Sequence, residues 1–198
     1  KMTDFTNWED WRKATNQDVK STSAQPEFSV GSGKGPNAIT VTDDGLVWVT
    51  LTFAHKLARI TPQGDILEIA LPAGMEHPMD ITTGPDGKLW FTIFSSNRIS
   101  SYDPVSEEIN TYLVPTSNSQ PAGIARGSDK IPGEADKIYF GEYAAGKIGW
   151  INAANPQGIT EINVGSGTQP YALNAGPDGN IWFAQAGTDK VGRIVNGS

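Results

Sequence analysis

Short apolar runs alternate with turn-forming clusters along the whole chain, and the alternation repeats. Four segments share one pattern: Pro36-Asn-Ala-Ile39, Pro78-Met-Asp-Ile81, Pro121-Ala-Gly-Ile124 and Pro170-Tyr-Ala-Leu173, at spacings of 42, 43 and 49 residues. An aromatic series (Trp48, Trp90, Tyr139, Trp182) and a basic series (Lys56, Arg98, Lys147, Lys190) are both spaced 42, 49 and 43. Three independent markers with one period define a repeat. The longer interval locates an inserted loop, Gly127-Ser-Asp-Lys-Ile-Pro-Gly-Glu-Ala135.

Each repeat predicts four strands. The first follows the proline, as in Ala38-Ile-Thr-Val41, and ends at a turn such as Asp43-Asp-Gly45, Pro85-Asp-Gly87 or Pro177-Asp-Gly179. Asp-Gly favours a tight turn because glycine accepts positive φ and aspartate bonds its own backbone. The second strand is apolar and aromatic, the third carries the base, and the fourth is Ile66-Leu-Glu-Ile69 and its equivalents. Four antiparallel strands per period of this length make a β-propeller blade. The expected fold class is therefore all-β, a β-propeller of four-stranded antiparallel blades with four blades in this chain. The blades fall at about 36–72, 78–115, 121–165, and 170–198 joined by 26–31, within a propeller domain of 24–198.

That last blade rests on the termini. Val30-Gly-Ser-Gly-Lys-Gly-Pro36 matches Val164-Gly-Ser-Gly-Thr-Gln-Pro170 at five of seven positions, and repeat four stops before its own fourth strand. Glu27-Phe-Ser-Val30 is thus expected to supply an N-terminal strand that closes the last blade and removes an open sheet edge. Three arrangements are compatible with the repeat: a compact four-bladed ring, a homodimer completing a larger propeller with strands exchanged, and a piece of a longer propeller. Residues 1–23 lie outside the repeat. Phe5, Trp8 and Trp11 at helical spacing predict an arm or short helix that packs on the propeller, lids a channel mouth or makes a dimer contact.

Charge and composition narrow the partners. Fifteen Lys and Arg against 22 Asp and Glu give a net charge of −7. Nucleic acid and anionic membrane surfaces are disfavoured, because both repel such a surface. Cysteine is absent, which removes disulfides, thiolate nucleophiles and Cys-ligated zinc. That absence is compatible with cytosol or cell exterior alike. No apolar run approaches the length of a membrane span.

Gly84-Pro-Asp-Gly-Lys-Leu-Trp-Phe-Thr92 and Gly176-Pro-Asp-Gly-Asn-Ile-Trp-Phe-Ala184, with Ser96-Asn-Arg-Ile99 and Thr188-Asp-Lys-Val-Gly-Arg-Ile194 after them, resemble the repeat of the streptogramin B lyases (virginiamycin B lyases) and NHL-like propellers. The resemblance covers residues 26–198. It implies a seven-bladed, magnesium-dependent lyase fold that opens a cyclic depsipeptide by elimination across an ester, using histidines and a glutamate late in the chain.

Positions at which one repeat departs from the others give the candidate site. The residue before the proline reads Gly35, His77, Gln120, Gln169, and the second after it reads Ala38, Asp80, Gly123, Ala172. The third after the strand aromatic reads Leu51, Ile93, Glu142, Gln185, and the residue before the base reads His55, Asn97, Gly146, Asp189. All fall at one end of the ring, where propeller ligands bind at a loop-lined mouth. Elimination needs a base for the proton beside the carbonyl, a group to hold the enolate charge and an acid for the leaving oxygen. His77 and Glu142 are the expected catalytic pair. Glu76 and Asp80 are the expected oxygen ligands for magnesium or calcium, and His55, Asn37, Tyr171 and Gln185 the expected binding residues. The expected ligand is a small molecule or cyclic peptide. The alternatives are a metal-dependent lactonase built on Asn37, Asp80 and Glu142, and a non-catalytic binding propeller for a peptide, glycan or partner chain.

Overall fold

A computed structural model describes residues 27–195. The expectation for residues 1–23 lies outside the described residues. Fifteen strands form four sheets. The first sheet is β1 (Pro36–Val41), β2 (Val47–Leu51), β3 (Lys56–Ile60) and β4 (Ile66–Ala70), each antiparallel to the next. The second is β5 (Pro78–Thr83), β6 (Leu89–Ile93), β7 (Arg98–Tyr102) and β8 (Ile109–Leu113). The third is β9 (Pro121–Arg126), β10 (Lys137–Glu142), β11 (Lys147–Asn152) and β12 (Ile159–Asn163). The last has three strands: β13 (Pro170–Ala175), β14 (Ile181–Gln185) and β15 (Lys190–Ile194).

The sheets pack face to face in chain order, as propeller blades do. Their inner strands sit side by side, β1 on β5, β5 on β9 and β9 on β13. Between the first two sheets, Trp48 and Leu57 bury against Ile81, Phe91 and Tyr102. Trp90 and Ile99 meet Ile124, Phe140 and Ile151 in the same way, and Tyr139 and Ile148 meet Ile181 and Phe183. Strand alternation sends one apolar set toward the preceding sheet and the other toward the following sheet.

The fourth strand expected from the N-terminus is not formed. Residues 27–30 have no strand pairing, and the last sheet stays three-stranded among the described residues. Phe28 instead lies over Gly64, and Val30 packs with Val49, Leu51, Ala58 and Ile60 of the first sheet. The first sheet's apolar face, which no other sheet covers among the described residues, gives these side chains apolar contact. The matched Val-Gly-Ser-Gly segments have another cause. Gly31, Gly33, Gly165 and Gly167 all adopt positive φ, so the identity records a shared connector between blades.

The buried strand aromatic needs an acceptor for its polar atom, and each later sheet supplies a carboxylate. The Nε1–H of Trp90 donates to Asp86 Oδ1 at 3.1 Å and that of Trp182 to Asp178 Oδ1 at 3.0 Å. Where tyrosine replaces tryptophan, the inserted loop provides Glu134, which accepts from the Tyr139 hydroxyl and pairs with Lys137. Burial and the Glu134 charge push the Tyr139 phenol well above its usual range. In the first sheet Asp44 is taken by Thr42, and Trp48 Nε1 has no partner. Asp86→Ala orphans a buried indole N–H, so it is expected to cost about 2 kcal/mol in urea unfolding. An unchanged midpoint would show that the turn aspartate does not support the aromatic.

Candidate functional site

The four inner strands begin at one end of the molecule, beside the β2–β3, β6–β7 and β10–β11 turns. Their first residues enclose a cavity of about 220 Å³, lined among others by Asn37, Met79, Asp80, Gly123 and Tyr171. All four sheets therefore contribute to it. Asn37 Nδ2 donates to the Met79 carbonyl at 2.7 Å, and Tyr171 is 41% exposed.

Asp80 is the one carboxylate among the described residues of the lining. Its Oδ1 accepts from Ile81 N–H and its Oδ2 from Ile124 N–H, both at 2.9 Å, which ties β5 to β9. Burial raises its pKa, and the two backbone donors oppose that shift. Glu76 is exposed and accepts from the N–H of Gly74 in its own turn. Among the described residues no group of three or more His, Asp or Glu is gathered closely enough to hold a metal ion. Glu76 and Asp80, the expected oxygen ligands, belong to no such group among the described residues.

His55 and His77 meet at the rim between the first two sheets. His77 N–H donates to His55 Nδ1 at 3.1 Å, so the proton of a neutral His55 ring sits on Nε2. The rings pack edge to face with centroids 5.0 Å apart, and His77 Nδ1 lies 2.5 Å from Ser95 Oγ. Both histidines have left-handed backbone, and so do their repeat equivalents: Asn97, Gly146 and Asp189 for His55, and Gly35, Gln120 and Gln169 for His77. These slots hold turns, and part of their variability reflects which side chains tolerate that conformation. Asn97 fastens its turn to the next connector in the same manner as His55. Its Oδ1 accepts from Ser119 N–H, as His55 Nδ1 accepts from His77 N–H.

Glu142 ends β10, opposite Lys147, and is fully buried. Lys147 Nζ is committed to Thr116 Oγ1 at 2.6 Å and Glu161 Oε2 at 2.7 Å, and the Ser119 hydroxyl to Asn97. Neither carboxyl oxygen of Glu142 has a hydrogen bond of good geometry, although the Ser119 hydroxyl and the Glu161 carboxyl lie close enough to act on it in opposite directions. Burial, reinforced by the Glu161 charge and only partly offset by Lys147, pushes its pKa up to about 7. A catalytic residue must touch its substrate, and Glu142 does not line the cavity. Gln185 bonds Thr188 Oγ1 within the last turn of its sheet.

Sequence reasoning missed two aromatics. Phe94 and Tyr143 occupy one repeat position, where the other blades carry Thr52 and Ala186. Tyr171 packs edge-on to Tyr143 at 6.0 Å, and Tyr143 lies 6.4 Å from Phe94. The row leads from the cavity across three sheets. Comparing the repeats one residue further along the chain identifies it.

Residues 17–198 match the sequence model of the virginiamycin B lyase family. The crystal structure of the Staphylococcus aureus virginiamycin B lyase superposes with a TM-score of 0.76 at 32% identity, over 85% of this chain and 55% of that one. A further streptogramin B lyase structure gives 0.77 at 31% identity, over 86% and 55%. A catalytically inactive Staphylococcus aureus enzyme with quinupristin gives 0.76 at 32%, over 85% and 55%. A Nocardia farcinica virginiamycin B lyase is 30% identical over 94 residues, which is 48% of this chain and 33% of that protein. The chain thus spans about half the length of the solved lyases it resembles.

Proposed function

This chain belongs to the virginiamycin B lyase family, and from that premise we propose that its inner-strand cavity receives an ester-linked cyclic peptide. One observation carries the reading. Four inner strands converge on a single cavity, and the row Tyr171, Tyr143, Phe94 leads out of it. Exposed aromatic faces bind apolar rings while retaining a polar edge. A volume of about 220 Å³ takes one inserted side chain, so the macrocycle rests over the mouth. His77, bonded to Ser95 on the rim and outside the cavity lining, is the proton carrier closest in kind to what elimination requires, and it can act only on a macrocycle that extends over that rim. No step is assigned to Glu142, which a ligand in the cavity does not touch.

Quinupristin, present in a related lyase structure, is the probe. Calorimetric titration of the full chain should show binding, and Tyr171→Ala should weaken it roughly tenfold. Thermal unfolding should be little changed, because Tyr171 is half exposed. No heat of binding up to millimolar ligand would refute the reading. Chromatography of the same mixtures separates catalysis from capture: opened product that disappears in His77→Ala marks the lyase. Binding without opening marks a non-catalytic propeller, a reading favoured by the sealed Glu142.

A further inference from the structure

We infer that Ser95 and His77 form a nucleophile and its general base, and that the rim they share hydrolyses carboxylic esters through an acyl-serine. The repeat brings two slots together at the mouth end of every sheet. One is the residue before the inner-strand proline, and the other stands five places after the strand aromatic. In the first sheet a Cβ on Gly35 would lie 2.5 Å from the Phe53 ring, and in the last a Cβ on Gly187 would lie 3.0 Å from Gln169 Oε1. The third sheet fills the same slots with Gln120 and Ala144. Only the second sheet puts an imidazole in one slot and a hydroxyl in the other. The two departures from the repeat therefore fall on a contact that the architecture already makes.

The separation of 2.5 Å between Ser95 Oγ and His77 Nδ1 is within reach for a base that takes a proton from a nucleophile. With the proton of neutral His77 on Nε2, the Ser95 hydroxyl donates and Nδ1 accepts. The backbone fixes the pair, since Phe94 N–H donates to the His77 carbonyl at 3.2 Å. The His77 ring is braced edge to face on His55. Ser95 is exposed and follows Phe94 of the aromatic row, so an ester with an apolar group can rest beside the nucleophile. In the reaction Ser95 Oγ adds to the ester carbonyl while His77 Nδ1 takes its proton. The alcohol leaves, protonated by His77. Water then attacks the acyl-serine, the bond from Oγ to the acyl carbon breaks, and His77 carries the proton of water to Oγ. One water is consumed and nothing is oxidised or reduced. Among the described residues no carboxylate bonds the His77 ring, so the expected acceleration is that of a general base alone, about a hundredfold.

The probe is 4-nitrophenyl acetate. The full chain should release nitrophenolate about a hundredfold faster than Ser95→Ala or His77→Gln, and peptide mass spectrometry should place an acetyl group on Ser95. Both variants install what another sheet already holds at the same slot, alanine at Ala144 and glutamine at Gln120 and Gln169. Those two glutamines share the left-handed backbone of His77, so unchanged far-ultraviolet spectra are expected. Equal release by all three proteins overturns the inference. So does acetyl found on lysine or histidine and not on Ser95. The reaction differs from elimination, which adds no water, and the probe does not need the inner-strand cavity. Loss of quinupristin binding therefore leaves this inference standing, and absence of acetyl-Ser95 leaves the cavity reading standing.

Discussion

Replacing Glu142 with leucine is expected to stabilise the fold by about 3 kcal/mol at pH 8 and by much less at pH 4. The repeat shows what the slot accepts, because Leu51 and Ile93 fill it in the first two sheets and are fully buried. Glu142 is equally buried, with two unpartnered oxygens and a pKa raised to about 7 from an ordinary 4.5. The folded chain therefore holds a proton that the unfolded chain releases above about pH 4.5. The native state loses stability as pH rises from there through 7, and the loss is complete above that value. Leucine abolishes the dependence, and Lys147 keeps Glu161 as its partner. Urea unfolding of both proteins at pH 4 and pH 8 provides the check. A stability difference that is the same at both pH values would mean that Glu142 ionises in the fold at no cost.

Gly123→Ala should act in the opposite direction, with a loss of about 3 kcal/mol. A Cβ at this position would stand 2.0 Å from the Tyr171 carbonyl oxygen and 2.9 Å from Ala172 Cα. Both are backbone atoms of β13, so relief requires the sheets to separate. The other junctions are spaced differently. Thr50 Oγ1 donates across to the Met79 carbonyl at 3.0 Å and Thr92 Oγ1 to the Ala122 carbonyl at 2.6 Å. The equivalent residue of the third sheet is Gly141, whose Cβ would meet the Pro170 carbonyl at 2.5 Å. Adding Gly141→Thr to Gly123→Ala should cost less than the sum of the two, since one enlarged spacing suits both side chains. Strict additivity in thermal unfolding would refute a shared spacing. The single variant should also weaken quinupristin binding, because Tyr171 moves with β13.

Much of the architecture is legible in the residues. Proline, aromatic and base recur with one period, and each marks a strand that the structure forms, from Pro36 to Lys190. The inserted loop stands where the interval lengthens, and its Glu134 replaces the turn aspartates as acceptor. The terminal strand is the exception, because Val-Gly-Ser-Gly is alike in two connectors. Similarity of turns says nothing about which sheet the neighbouring Phe28 will find.

The candidate site was legible only in outline. Asn37, Asp80 and Tyr171 do come to one cavity, because they share one register at the start of the inner strands. His55 and His77 stood out as exceptions, yet they occupy left-handed turns that every blade has. Glu142 stood out too, and the fold seals it away.

Local chemistry set the period, the strands and the turns, since alternation and backbone preference act between near neighbours. Tertiary packing decided which carboxylate meets backbone donors and which is left unpartnered. Those outcomes depend on desolvation and on groups brought from segments about forty residues away, such as the Ile124 N–H that meets Asp80.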